Sequence, residues 1–122
     1  MGAIDDRLGE LGLTLPAPMA APAGVRLPFE LVRVHGDVAY VSGHGPFDGE
    51  RALVIGRVGA AVSVEQAYEA ARATGLSMLA SLKRELGDLD RVTAWLKVLG
   101  FVCCAADGWC VPSRSSRCCR SG

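Results

Sequence analysis

The chain has no surplus of either charge: thirteen Lys and Arg stand against thirteen Asp and Glu in 122 residues. A balanced surface of this kind argues against a dedicated polyanion binder, whether of nucleic acid or of an anionic membrane. Aromatic residues are scarce, with two Trp, two Tyr and three Phe, so an extensive base-stacking platform is excluded. The two histidines, His35 and His44, are too few for a histidine-rich metal cluster. No apolar run approaches the roughly 20 residues needed to span a bilayer. The first residues carry Asp5 and Asp6 where a secretory signal is basic, and Asp6 stands where N-myristoylation requires Ser or Thr. These features lead to the expectation of a cytoplasmic protein without a membrane anchor. No cysteine precedes Cys103, after which Cys103, Cys104, Cys110, Cys118 and Cys119 crowd into the last twenty residues. A disulfide scaffold distributes its cysteines through the fold, so these read as loose, oxidation-prone thiols.

What the sequence does contain is one strongly marked helix. Ser63 and Gln66 form a capping box, Glu65 complements the positive end of the helix dipole, and Lys83 and Arg84 precede a terminating Gly87. Between these ends Val64, Ala67, Tyr68, Ala71, Gly75, Met78, Leu79, Leu82 and Leu86 recur at spacings of three and four, an apolar stripe. The stripe places Tyr68, Met78 and Leu79 in the core. Its small residues suit close approach to a sheet.

Elsewhere Ile4, Leu8 and Leu11 predict a short helix weakened by Gly9 and Gly12. Pro16, Pro18, Pro22 and Pro28 impose an extended connection over residues 14–28. Residues 29–34 and 38–42 read as the strands of a hairpin turning at His35, Gly36 and Asp37. The glycine-rich run Gly43-His44-Gly45-Pro46 follows, where a backbone can approach a ligand closely. Residues 47–51 read as a loop, and residues 52–58 as a third strand interrupted at Gly56. Asp88 to Asp90 can cap a turn, and residues 92–102 read as a buried strand rich in apolar residues. The expected class is α+β, with helices on one face of a sheet.

Three blocks in order, Tyr40-Val41-Ser42-Gly43-His44-Gly45-Pro46, the long helix through Val92, and Trp95 to Val102, resemble the RidA (YjgF) family over residues 4–102. The resemblance implies a chorismate-mutase-like α+β fold in which a mixed sheet packs against helices and three subunits close a homotrimer with ligand pockets at the interfaces. It also implies cofactor-free hydrolysis of reactive enamines and imines to 2-keto acids and ammonia, with a small carboxylate or imino acid as ligand. Alternatives within the same resemblance are a non-catalytic metabolite-binding trimer, an inactive truncated product, and an endoribonuclease or translation inhibitor. Ser42, Gly43 and His44 correspond to a pocket wall and are the candidate substrate-binding residues. The carboxylate requires an arginine fork and hydration of C=N requires a proton carrier. The family's arginine segment, its second helix and its final glutamate strand have no counterpart, so no catalytic residue is assigned.

The chain thus divides at residue 102 into a RidA-like domain, 1–102, and a divergent Cys/Arg/Ser-rich tail, 103–122. Pro112-Ser113-Arg114-Ser115 superficially resembles the arginine segment but arrives too soon after Val102, and Arg114 reads better as a solvated residue. Arg114, Arg117 and Arg120 without interleaved aromatics make a weak nucleic-acid patch. Five thiolates exceed the four of a zinc site, but paired cysteines without C-x-x-C spacing or histidine argue against zinc. Written with the codons CCA TCG AGG TCG TCG AGG TGC TGC AGG after a G, residues 112–120 shift by one base into Ala-Ile-Glu-Val-Val-Glu-Val-Leu-Gln. That product is similar to the family's closing strand, so the tail reads as a frame-shifted or mis-spliced end; the coding DNA tests this. His44 fits a hydrogen-bonding, pocket-lining role better than an acid or base, and His35 a turn position.

Overall fold

The computed structural model describes residues 2–106 and the backbone of residues 116–118. Arg114, Arg120, Cys110 and Cys119, together with the side chains of Arg117 and Cys118, lie outside the described residues. Helix α1 (Ala3–Glu10) leads to strands β1 (Val32–His35), β2 (Val38–Val41), β3 (Phe47–Asp48) and β4 (Arg51–Ala52). Helix α2 (Val64–Leu86), a 3-10 turn (Leu89–Arg91), and strands β5 (Gly100–Val102) and β6 (Ser116–Cys118) follow. The architecture is a small mixed α+β domain.

Both ends of α2 form as the local chemistry dictates. Ser63 Oγ accepts from the Gln66 backbone N–H at 3.1 Å, and Gln66 Oε1 accepts from the Ser63 N–H at 2.8 Å. Gly87 closes the helix at φ 79°, a left-handed conformation that a side chain disfavours. The β1–β2 hairpin pairs Val32 with Val41 and His35 with Val38, and Gly36 supplies the positive φ, 59°, that so tight a turn needs. The core sits between this hairpin and the two helices. Val32, Leu82 and Leu89 are buried together, with Ile4, Leu8, Leu15, Ala39, Val41, Leu79 and Leu86 packed around them.

The buried face of α2 differs from the apolar stripe. Ser77, Ala80, Ser81 and Leu82 are its buried residues, whereas Tyr68 is 71% exposed and Val64 is also exposed. Tyr68 is therefore not a core residue. The core covers only the C-terminal half of α2, because the hairpin strands are four residues long and cannot underlie a helix of 23 residues.

Three further expectations are corrected. The stretch expected to be a loop at residues 47–51 forms the β3–β4 hairpin, pairing Phe47 with Ala52 and Asp48 with Arg51. No third strand runs through residues 52–58; Val58 makes only isolated bridges to Val62 and Cys104. Residues 92–102 do not form a buried strand. Only Gly100–Val102 is a strand, all of it exposed, paired in parallel with β6. Among the described residues the pairing comprises three two-stranded sheets rather than one mixed sheet. Without a broader sheet among the described residues to enter, this apolar stretch stays at the surface, where Trp95 and Val98 line a cleft with Met78 and Leu79 of α2. The cysteines also separate: Cys103 is exposed and free, while Cys104 is buried and disulfide-bonded, so Cys104 is not a loose thiol.

Helix α1 lacks a capping side chain at Gly2. Asp90, from the 3-10 turn, takes that role in trans, accepting from the N–H groups of Ala3 at 2.6 Å and Ile4 at 2.8 Å. Lys83 Nζ donates to Asp5 Oδ1 at 2.6 Å, and this hydrogen bond holds the Asp5 carboxyl below its usual value. A carboxylate whose pKa is depressed in the folded state stabilises above the unfolded pKa, and the contribution is lost as pH falls through the folded one. Asp5→Asn is accordingly expected to destabilise at neutral pH and to flatten the acid limb of a melting-temperature profile below about pH 4.

Candidate functional site

Strand β2 ends at Val41, but the ladder continues one step, because the Ser42 N–H donates to the Leu31 carbonyl at 2.9 Å. The Ser42 hydroxyl donates to the Glu30 carbonyl at 2.6 Å. Ser42 thereby staples the segment entering β1 to the segment leaving β2. His44 is fixed on both sides: Nδ1 lies 2.8 Å from the Ser42 carbonyl and Nε2 lies 2.8 Å from Ser81 Oγ. A carbonyl only accepts, so the assigned tautomer carries its proton on Nδ1, and Nε2 accepts from the Ser81 hydroxyl. With both nitrogens engaged, His44 positions the loop against α2 and has no nitrogen free to move a substrate proton.

Between these two anchored residues, Gly43 makes no hydrogen bond among the described residues, and open space surrounds the position a Cβ would take. Ser42, Gly43 and His44 thus act locally as one unit, two residues holding the backbone of the third. Ser81, which is fully buried with Ser77, is a participant the sequence reading missed, since serine on a helix normally reads as solvent-facing. The neighbouring Ser77 Oγ is buried with no hydrogen-bond partner among the described residues. Ser81→Ala would leave His44 Nε2 unpaired in a half-buried position and is expected to lower stability by about 1–2 kcal/mol in urea titration; Ser77→Ala, which removes an unpaired hydroxyl, is expected to cost less.

Two clefts accompany this loop. One, of about 630 Å³, is lined by Arg26, Leu27, Pro28, Phe29, Glu30 and Arg33, the segment whose Glu30 carbonyl Ser42 holds. The other, of about 420 Å³, is apolar, running between Leu8 and Leu13, the Gly75, Met78 and Leu79 face of α2, and Trp95 and Val98. Neither includes Ser42, Gly43 or His44. Among the described residues no group of three His, Cys, Asp or Glu side chains could hold a metal ion, and no helix is long and apolar enough to cross a membrane.

No protein-family profile matches the chain. A curated relative, Protein TCP17 of Trypanosoma cruzi, is 35% identical over 101 residues, which are 83% of this chain and 61% of that protein. Among solved structures, the protein Atu1372 from Agrobacterium tumefaciens, of unknown function, superposes with a TM-score of 0.72 at 33% identity, over 87% of this chain and 61% of that one. The chain shares its fold. A candidate endoribonuclease from Shewanella oneidensis MR-1 aligns with a TM-score of 0.62 at 32% identity, over 74% of this chain and 57% of that one. The chain therefore spans about 61% of the length of the curated relative it matches.

Proposed function

We propose that the chain is a RidA-type domain that hydrates imines and enamines derived from amino acids, releasing 2-keto acids and ammonia. In the iminium form, water adds to the C=N carbon to give a carbinolamine. A proton then passes from oxygen to nitrogen, the C–N bond breaks, and the products are the keto acid and ammonium, with one water consumed. The observation that carries this reading is Gly43, held between the anchored Ser42 and His44, exposed, with no hydrogen bond among the described residues and open space where a Cβ would stand. Such a backbone suits a polar substrate that changes hybridisation at one carbon. The likeness to two solved proteins at more than 30% identity supports the fold on which the reading depends. The proposal includes the family's homotrimer, a site completed between subunits, and a cytoplasmic location.

A second reading, cleavage of RNA, draws on the Shewanella neighbour's description. Against it, His35 sits at the turn end of the hairpin and His44 beyond its open end. A four-residue strand separates them, roughly 10 Å or more, too far to act as an acid and base pair on one phosphodiester. Incubating the protein with imino acid generated in situ by an amino-acid oxidase, with semicarbazide as the competing trap, tests the first reading. Less trapped product and faster keto-acid release are expected; a release rate equal to buffer, with labelled RNA cleaved instead, would reverse the preference.

A further inference from the structure

The cleft that includes Glu30, whose carbonyl Ser42 holds, combines charged and aromatic side chains. Arg26 and Arg33 both line it, and neither makes a hydrogen bond or an ion pair among the described residues. Glu30 lines the same cleft and pairs with neither guanidinium, so among the described residues one open volume is lined by three charged residues with no ion pair between them. Phe29, 52% exposed, adds an apolar wall. Arg7, Arg51, Arg72 and Lys83 are paired with carboxylates; Arg84 and Lys97, like Arg26 and Arg33, make no ion pair among the described residues, but only Arg26 and Arg33 line a common cleft.

The segment is held in place rather than merely present. Pro28 fixes one backbone angle, Leu31 and Val32 are buried, the Glu30 carbonyl is held by Ser42, and Arg33 is in register opposite Tyr40. A volume of about 630 Å³ falls within the range of small-molecule sites. Two guanidinium groups suit a carboxylate. With Glu30 included, the net charge of the cleft is one positive, which disfavours a doubly charged phosphate. Glu30 in turn offers an acceptor to a cationic nitrogen. We infer that this cleft binds a free α-amino acid with an apolar side chain: carboxylate on Arg26 and Arg33, ammonium on Glu30, side chain on Phe29. The inference needs only that the cleft binds, so it stands or falls separately from the hydrolysis proposed above.

The test uses the full chain and titrates L-leucine, isovalerate and isoamylamine by calorimetry, with amide chemical shifts to locate binding. Leucine is expected to bind in the millimolar range or tighter, and both analogues at least about tenfold more weakly. Arg33→Gln and Arg26→Gln are each expected to weaken leucine about tenfold or more. Glu30→Gln should weaken leucine while leaving isovalerate unchanged or tighter, a reversal that general destabilisation does not produce. Far-UV circular dichroism checks folding of each variant, and Arg33→Lys, which retains charge without the fork, gives an intermediate affinity if Arg33→Gln fails to fold. The assignment is overturned by no leucine binding at about 20 mM, by inorganic phosphate binding more tightly than leucine, or by shifts confined to residues outside 26–33.

Discussion

Leu82→Ala is expected to lower the unfolding free energy by about 2–5 kcal/mol, the cost of a leucine-sized cavity in a packed site. Leu82 is 2% exposed and shares a buried cluster with Val32 and Leu89. Through that cluster it joins α2 to the hairpin, to α1 by way of Ile4 and Leu8, and to the 3-10 turn. A domain of this size commonly has about 5–15 kcal/mol of stability, so this one substitution removes a large part of it. Tyr68→Ala, on the same helix and with a larger truncation, is expected to change stability by less than about 0.5 kcal/mol, because its ring is already in solvent. Urea denaturation of the two variants reads the contrast directly. Equal losses would mean that the core extends along the whole helix, and a greater loss for Tyr68 would place it at the wrong end.

That contrast also marks the limit of what sequence shows here. The capping box at Ser63 and Gln66, the stop at Gly87, the turn at Gly36 and the capped turn at Asp88 depend on neighbours within four residues, and all are present. Which side of α2 is buried depends on what lies across from it. Ser77 and Ser81 occupy the buried side because small residues let the 42–46 loop come close, and His44, 37 positions away in sequence from Ser81, supplies the hydrogen bond that offsets burying its hydroxyl. A periodicity count has no means of finding that partner. The same holds for Arg26 and Arg33. Each looks like an ordinary surface cation, and only their convergence on one cleft with Glu30 gives them chemistry; Glu30 lies four residues from Arg26 and three from Arg33, a spacing that in sequence reads as routine charge pairing. Strand prediction over residues 92–102 failed for the complementary reason. The apolar content was read correctly, but burial needs a partner, and among the described residues β5 is paired only with β6.

Substituting the exposed ridge is expected to have the other large effect. Trp95, Leu96, Val98, Leu99, Phe101 and Val102 are all exposed, Leu96 at 77% and Phe101 at 60%. So many large apolar side chains open to solvent within residues 95–102 are a concentration that monomeric proteins rarely leave uncovered, and β5 lies at the margin of a two-stranded sheet. Burying one large apolar side chain yields about 1.5–3 kcal/mol, so covering Leu96 and Phe101 together shifts an association constant by about a hundredfold or more even after partial offset by lost freedom. The parent chain is therefore expected to sediment as a discrete assembly at micromolar concentration, and Leu96→Glu combined with Phe101→Glu as a monomer. Light scattering after alkylation of the exposed Cys103 thiol, which prevents cross-linking of copies and leaves the Cys104 disulfide intact, makes the comparison. The argument rests on these side chains being surplus to the fold of the single chain, which predicts an unchanged far-UV spectrum for the double variant. A monomeric parent, or a double variant of unchanged mass, would show that the ridge does not hold the assembly, and the proposed trimer would lose its interface on this face.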